Sequence, residues 1–255
     1  MTVLRSSLFN LFFFGSTFAL ALWGLPLRCF ARHRIGGLIR FWAKLEIGAA
    51  RRLCGIRFAV SGREHIPSGS VLIASQHQST FDTLVWFVLL PGCSYVAKRE
   101  LTRIPLFGAL IRPGGMIVVD RSAGASALRG LVRDARRVLG EGRPIVIFPE
   151  GSRAGPGRVL PIQAGVVALA TASGRPVVPV LTDSGRFWGR RAFRKEAGTI
   201  RIEVRPPLPP GLGRGALTAA LQDLFESRVE PVDNIVERAA SGFRDSPSRE
   251  PEPLD

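Results

Sequence analysis

The chain is 255 residues long, 46% apolar and 22% charged, enough for one domain with appendages, and this composition excludes a disordered chain. Its 35 Lys and Arg against 20 Asp and Glu leave a net charge of +15, which requires an anionic partner: nucleic acid, an anionic membrane or a phosphorylated substrate. Three widely spaced cysteines, Cys29, Cys54 and Cys93, make no Cys-x-x-Cys and no His/Cys cluster, so neither a disulfide framework nor a metal site is expected, as suits a reducing compartment.

No charged residue falls between Arg5 and Arg28. As a helix that run is about 33 Å long, close to the hydrocarbon thickness of a bilayer. Arg28, Arg32, Arg34, Arg40, Lys44, Arg51 and Arg52 follow it, and the positive-inside rule places this flank, with everything after it, on the cytoplasmic side of the inner membrane. Ala19-Leu20-Ala21 resembles a signal-peptide cleavage site, but the apolar run continues past it. Pro26 and the mixed apolar and basic stretch 35–53 also permit a helical hairpin lying in one leaflet. Residues 1–55 therefore read as a membrane-anchoring helical segment.

From residue 57 short β-rich runs alternate with helical periods. Strands are expected at 57–61, 71–75, 94–97, 116–119, 145–148, 177–181 and 199–204. The clearest helix covers 126–139, where Leu128, Leu131, Val132, Ala135, Val138 and Leu139 keep the i, i+3, i+4 spacing until Gly140 and Gly142 stop it. A second helix is expected over 216–229, after the proline run 206–210. Such alternation predicts an α/β fold, with a mainly parallel central sheet flanked by helices over residues 56–240, and ligands at the carboxyl ends of the strands. Residues 241–255 are polar and Pro-rich and read as a disordered tail.

Four segments carry possible chemistry. His77-Gln78-Ser79-Thr80-Phe81-Asp82 follows the apolar run 71–74. A histidine oriented by a carboxylate takes a proton from an alcohol near neutral pH. On one helix the two side chains would point about 140° apart, so His77 belongs in the turn after a strand and Asp82 in the first turn of the next helix. The same residues fit a capping box, with Ser79 as N-cap and Asp82 at N3. Residues 98–121 bring Lys98, Arg99, Glu100 and Arg121 onto one glycine-rich connection. Phe148-Pro149-Glu150-Gly151-Ser152-Arg153 ends a strand with an acid, a hydroxyl and a guanidinium, and the guanidinium fork suits a phosphate. Val178-Pro179-Val180 reads alone as core or edge strand. Separately, residues 186–195 interleave Arg186, Arg190, Arg191, Arg194 and Lys195 with Phe187, Trp188 and Phe193, the composition of a surface touching anionic headgroups. A nucleic-acid surface has the same ingredients, but the N-terminal anchor disfavours it, and no nucleic acid is expected as partner.

In this order and spacing the four segments resemble the glycerolipid acyltransferase family, most nearly its 1-acyl-sn-glycerol-3-phosphate acyltransferase branch. The family's His-x4-Asp block is met by His77 and Asp82. Its Lys-x-Glu-Leu…Pro…Gly…Arg block is met by Lys98, Glu100, Leu101, Pro105, Gly108, Gly115 and Arg121. Its Phe-Pro-Glu-Gly-Thr-Arg block is met with Ser152 in place of Thr, which keeps the hydroxyl, and its Val-Pro-Val block by residues 178–180. The resemblance implies a membrane-bound enzyme that moves a fatty acyl group from an acyl-CoA or acyl carrier protein thioester to lysophosphatidic acid, giving phosphatidic acid. His77 would be the general base and Asp82 its orienting acid. Lys98, Arg121 and Arg153 would hold the acceptor phosphate, in the loop that Gly151 and Ser152 complete. Glu150 would bind glycerol hydroxyls or hold the basic residues, and backbone N–H groups near 79–82 would receive the oxyanion. No bound cofactor and no covalent acyl-enzyme are implied, and Cys93 reads as structural. The alternatives are another acceptor, a lysophospholipid or lyso-ornithine lipid, or a non-catalytic lipid-binding protein on the same fold.

Overall fold

The computed structural model describes residues 1–227; the expected tail at 241–255 and the last residues of the helix expected to reach 229 lie outside the described residues. The uncharged N-terminal run forms helix α1, Thr2–Phe30, which continues through Pro26. Helix α2, Ile35–Cys54, returns alongside it. Trp42 Nε1 donates to Thr17 Oγ1 at 3.1 Å, the Ser16 hydroxyl to the buried Glu46 carboxylate, and Cys54 Sγ approaches the Arg5 carbonyl. These pairings run in opposite chain directions, so the pair is an antiparallel hairpin. The buried face of α1 holds Ser6, Phe9, Ala21 and Gly24, while Leu4, Leu8, Leu11, Phe14, Phe18, Leu22 and Trp23 are exposed. That polarity is the reverse of a helix facing water on its outer side.

Seven strands follow: β1 Ile56–Ser61, β2 Leu72–Ser75, β3 Ser94–Lys98, β4 Ile117–Val119, β5 Ile145–Ile147, β6 Val177–Thr182 and β7 Gly198–Val204. They form one sheet in the order β1-β7-β6-β2-β5-β3-β4. All pairings are parallel except β6 with β7, so β1 and β7 run against the other five. The intervening helices are α3 Phe81–Leu89, α4 Gly108–Ile111, α5 Gly124–Gly140, α6 Ala164–Ser173 and α7 Arg214–Glu226. Strand alternation divides the core into two layers. Ile73, Val146, Val178 and Val180 face α3 and the N-terminal hairpin, packing with Phe81, Leu84, Trp86, Phe9 and Ala43. Leu72, Ala74, Ile145 and Ile147 face α5, α6 and α7, packing with Leu131, Val138, Val166, Leu169, Leu217 and Leu221. The expected α/β sheet is present, and β2 and β5 are parallel neighbours, with Leu72 opposite Ile145 and Ala74 opposite Ile147. Their carboxyl ends therefore lie side by side, bringing residue 77 next to residue 150.

Val-Pro-Val lies on an interior strand, not an edge. Pro179 sits one residue beyond the β7 ladder, which covers Val180 to Thr182. Its carbonyl accepts from the Arg205 N–H at 2.9 Å, and the N–H it lacks would fall where that ladder has ended.

Gly62 ends β1 at φ +69°, and a Cβ there would overlap the Val204 carbonyl, to which His65 Nδ1 also bonds at 3.0 Å. Gly62→Ala is expected to destabilise the protein by more than about 1 kcal/mol, since both φ and space are incompatible. A lowered midpoint in chemical denaturation would register it.

Candidate active site

β2 ends at Ser75, and the chain turns through Gln76 to Thr80 before α3 begins. His77 stands in that turn and Asp82 in the first turn of α3, as their spacing predicts. His77 Nδ1 lies 3.3 Å from Asp82 Oδ2. Asp82 is 2% exposed, and the same oxygen accepts the N–H groups of Gln78 at 2.7 Å and Ser79 at 2.8 Å. Ser79 Oγ accepts the Phe81 N–H at 3.0 Å. The catalytic and capping readings of this hexapeptide are thus one arrangement: the carboxylate that faces the imidazole also closes the turn that carries it. Because the N–H groups of Gln78, Ser79 and Phe81 are bonded in this way, they are not the free oxyanion donors expected at this helix start.

The imidazole stacks on Phe148, with ring centroids 4.0 Å apart and planes at 16°. Phe148 in turn stacks on Tyr95 at 5.8 Å. Nδ1 is turned to Asp82, so Nε2 is the ring nitrogen left for a substrate.

Glu150 has partners that the resemblance does not name. Its carboxylate is 4% exposed and does not reach the cavity wall. Oε2 accepts the His77 backbone N–H at 2.9 Å and Oε1 accepts the Leu160 N–H at 3.2 Å. Both oxygens tie backbone segments to the His77 turn, and Glu150 is not among the residues that line the cavity. Burial pushes its pKa up, opposed by the two N–H donors, while the charge of Asp82 adds to the rise.

His77 opens into a cavity of about 650 Å³. Leu20, Ala21, Leu38, Ile39 and Trp42 of the hairpin form one wall, and Leu101, Phe107, Leu110, Leu128 and Leu131 others. Four of the residues expected to bind substrate line it as well. Lys98, at the end of β3, lines it, as do Gly151, Ser152 and Arg153. Arg153 Nη1 donates to Thr80 Oγ1 at 2.9 Å, linking the guanidinium to the His77 turn. Arg121 opens the 3-10 turn Arg121–Ala123 after β4; its side chain lies outside the described part of the structure. Cys93 is buried, its Sγ lies 3.6 Å from the Trp86 carbonyl, and burial pushes its pKa up to about 12. A thiol held protonated is no nucleophile.

Sequence reasoning missed how residues 186–195 divide. Trp188 and Lys195 are buried, not displayed on a headgroup surface. Arg190 and Arg191 line the same cavity as His77. Burial, then the positive charge of Arg190, lowers the pKa of Arg153, with Asp82 opposing and Arg191 adding to the fall. Two adjacent arginines between Gly189 and Ala192 were the available signal, but nothing local says that the segment folds back towards residue 153.

Residues 57–183 match the family model described as Acyltransferase. The chain is 35% identical over 217 residues to the 1-acyl-sn-glycerol-3-phosphate acyltransferase of Pseudomonas aeruginosa, covering 80% of each. It is 34% identical over 160 residues to the human 1-acyl-sn-glycerol-3-phosphate acyltransferase alpha, covering 62% of this chain and 56% of that one. The fold is similar to the crystal structure of the 1-acyl-sn-glycerophosphate acyltransferase PlsC from Thermotoga maritima, with a TM-score of 0.71, 20% identity and coverage of 99% of this chain and 100% of that one.

Proposed function

Because the chain belongs to the acyltransferase family, we propose that it moves a fatty acyl group from an acyl thioester to the free hydroxyl of 1-acyl-sn-glycerol 3-phosphate, giving phosphatidic acid. The observation that carries this reading is the His77–Asp82 pair, whose imidazole lines a cavity that apolar side chains share with Arg153, Arg190 and Arg191. An apolar chain, an alcohol and a phosphate occur together in this acceptor.

His77 Nε2 takes the proton of the acceptor hydroxyl as its oxygen attacks the thioester carbonyl. Asp82 holds the Nδ1–H tautomer and stabilises the imidazolium that forms. The tetrahedral intermediate collapses, the C–S bond breaks, and the imidazolium returns its proton to the departing thiolate. Lys98, Arg121 and Arg153 hold the acceptor phosphate by charge-assisted hydrogen bonds. The acyl chain lies against the apolar walls. The donor, acyl-CoA or acyl carrier protein, is a co-substrate, and no resident cofactor takes part.

The outward apolar face of α1 supports a membrane-bound enzyme whose cavity wall is partly built from the membrane segment. The basic residues after α1 support a cytoplasmic catalytic domain and contact with anionic lipid.

The test is acyl transfer by detergent-purified protein from labelled acyl-CoA and, separately, acyl carrier protein. Lysophosphatidic acid and a panel of other lysolipids serve as acceptors. Phosphatidic acid is the expected product. Turnover only with another acceptor would keep the chemistry and overturn the substrate; no product with any pair, from folded protein, would overturn the enzyme.

A further inference from the structure

Arg190 and Arg191 belong to none of the four blocks on which the resemblance rests, yet they share a cavity wall with His77 and Arg153. Arg190 reaches across 37 positions of chain to donate from Nη1 to the Arg153 carbonyl at 3.4 Å. Among the described residues, no carboxylate lies within ion-pair distance of Arg153, Arg190 or Arg191. Arg190 and Arg191 place positive charge beside Arg153, opposed by Asp82, and an anion entering among the three guanidiniums relieves that repulsion.

The backbone is strained at the same place. Arg191 has φ +55°, one of two non-glycine residues with positive φ among the described residues. Such conformations persist only where the surroundings hold them, and they gather at binding sites. Here the surroundings are explicit. Lys195 is 3% exposed, and its Nζ donates to the Ala192 carbonyl at 2.8 Å, the Phe193 carbonyl at 3.0 Å and Asn10 Oδ1 of α1 at 3.0 Å. Its backbone N–H donates to Ser6 Oγ, also on α1, at 2.9 Å. The rings of Phe9 and Trp188 flank the ammonium at 5.9 and 5.6 Å. A buried cation with three acceptors thus fastens the arginine segment to the first helix.

We propose that Arg190 and Arg191 complete, together with Arg153, a binding site for a substrate phosphate in the cavity that His77 also lines. This rests on the acyl-transfer reading above and adds two binding residues to it. A phosphomonoester carries nearly two negative charges at neutral pH, and its three oxygens accept from several planar guanidinium forks at once, which Arg153 alone cannot supply. Two sources present that chemistry: the acceptor headgroup and the ribose 3′-phosphate of an acyl-CoA donor.

The test uses Arg190→Gln, Arg191→Gly and the double variant in the full-length detergent-solubilised protein. Gly relieves the positive φ, so Arg191→Gly removes the guanidinium without adding strain. Steady-state rates are measured with lysophosphatidic acid varied at saturating acyl-CoA, then with acyl-CoA varied at saturating acceptor. Each single variant is expected to raise the acceptor KM by about 10-fold or more, the loss of one charge-assisted hydrogen bond, and the double variant further, with the donor KM within about 2-fold. A rise confined to the donor KM supports the site with the donor's phosphate as its occupant. Unchanged values of both KM in the double variant would overturn it. Binding of lysophosphatidic acid and of monoacylglycerol, measured without donor, separates this proposal from the catalytic one. If wild type binds the phosphorylated lipid and the double variant loses that preference, the site stands even where no acceptor is turned over. Equal binding by both proteins, with both KM values also unchanged, sinks it.

Discussion

His77→Ala is expected to lower acyl transfer by about 10²–10⁴-fold, the range a positioned general base contributes, while the protein stays folded. The reason for the separation lies in where Asp82 spends its bonds. Its Oδ2 keeps the Gln78 and Ser79 N–H groups at 2.7 and 2.8 Å whether or not an imidazole is present, so the turn survives. What is lost is the ring stacked on Phe148 and, with it, the proposed base. Labelled transfer with lysophosphatidic acid reads the first effect and thermal melting in detergent the second. Retention of activity within a few-fold of wild type would remove His77 from the chemistry. Asp82→Ala should differ in kind, losing activity and stability together, because two buried N–H groups lose their acceptor.

Glu150→Ala carries the second large effect, and it falls on both fold and rate. The carboxylate accepts one N–H from the His77 turn and one from Leu160, and each buried donor left without a partner costs about 1–3 kcal/mol. A stability loss of about 2–6 kcal/mol in chemical denaturation is expected, with acyl transfer falling as the His77 backbone loosens. Glu150→Gln keeps one acceptor and should fall between wild type and Ala. The pH dependence has a definite sign. The folded-state pKa of Glu150 lies above its ordinary value of 4.5. The folded protein therefore binds the proton more tightly than the unfolded chain, and this group's contribution is full below that value and declines as pH rises through the raised one. Gln does not titrate, so the stability gap between wild type and Glu150→Gln should narrow as pH rises across that window. A gap that widens would show that the two N–H donors outweigh burial.

The reading of residues 186–195 as one headgroup surface did not separate Trp188 and Lys195, which are buried, from Arg186, Arg190, Arg191, Phe193 and Arg194, which are exposed. Interleaved cations and aromatics describe a solvated, interfacial face equally well as they describe a segment half buried against a helix. The choice was made by Ser6 and Asn10 on α1, which supply the hydrogen-bonding oxygens that let Lys195 be buried. The partners of Glu150 were hidden for a related reason. An acid next to Arg153 in the sequence looks like part of a polar site, but its partners are backbone N–H groups 73 residues back and 10 residues on.

Alternating strand and helix periods were enough to set the α/β class, and the sheet that formed is mainly parallel with helices on both faces. The spacing of His77 and Asp82 was enough to place one in a turn and the other in a helix start, because both lie within one strand-turn-helix unit and local geometry decides their relation. The apolar length of α1 and the basic flank were likewise legible, being runs of neighbouring residues. Only the tertiary structure decided that α1 and α2 pair and wall the cavity, that Glu150 supports His77 from below, and that Arg190 and Arg191 stand beside Arg153. Each of those relations joins residues dozens of positions apart. They meet only after β2, β5 and β6 have come side by side, and no short-range period of the chain records that meeting.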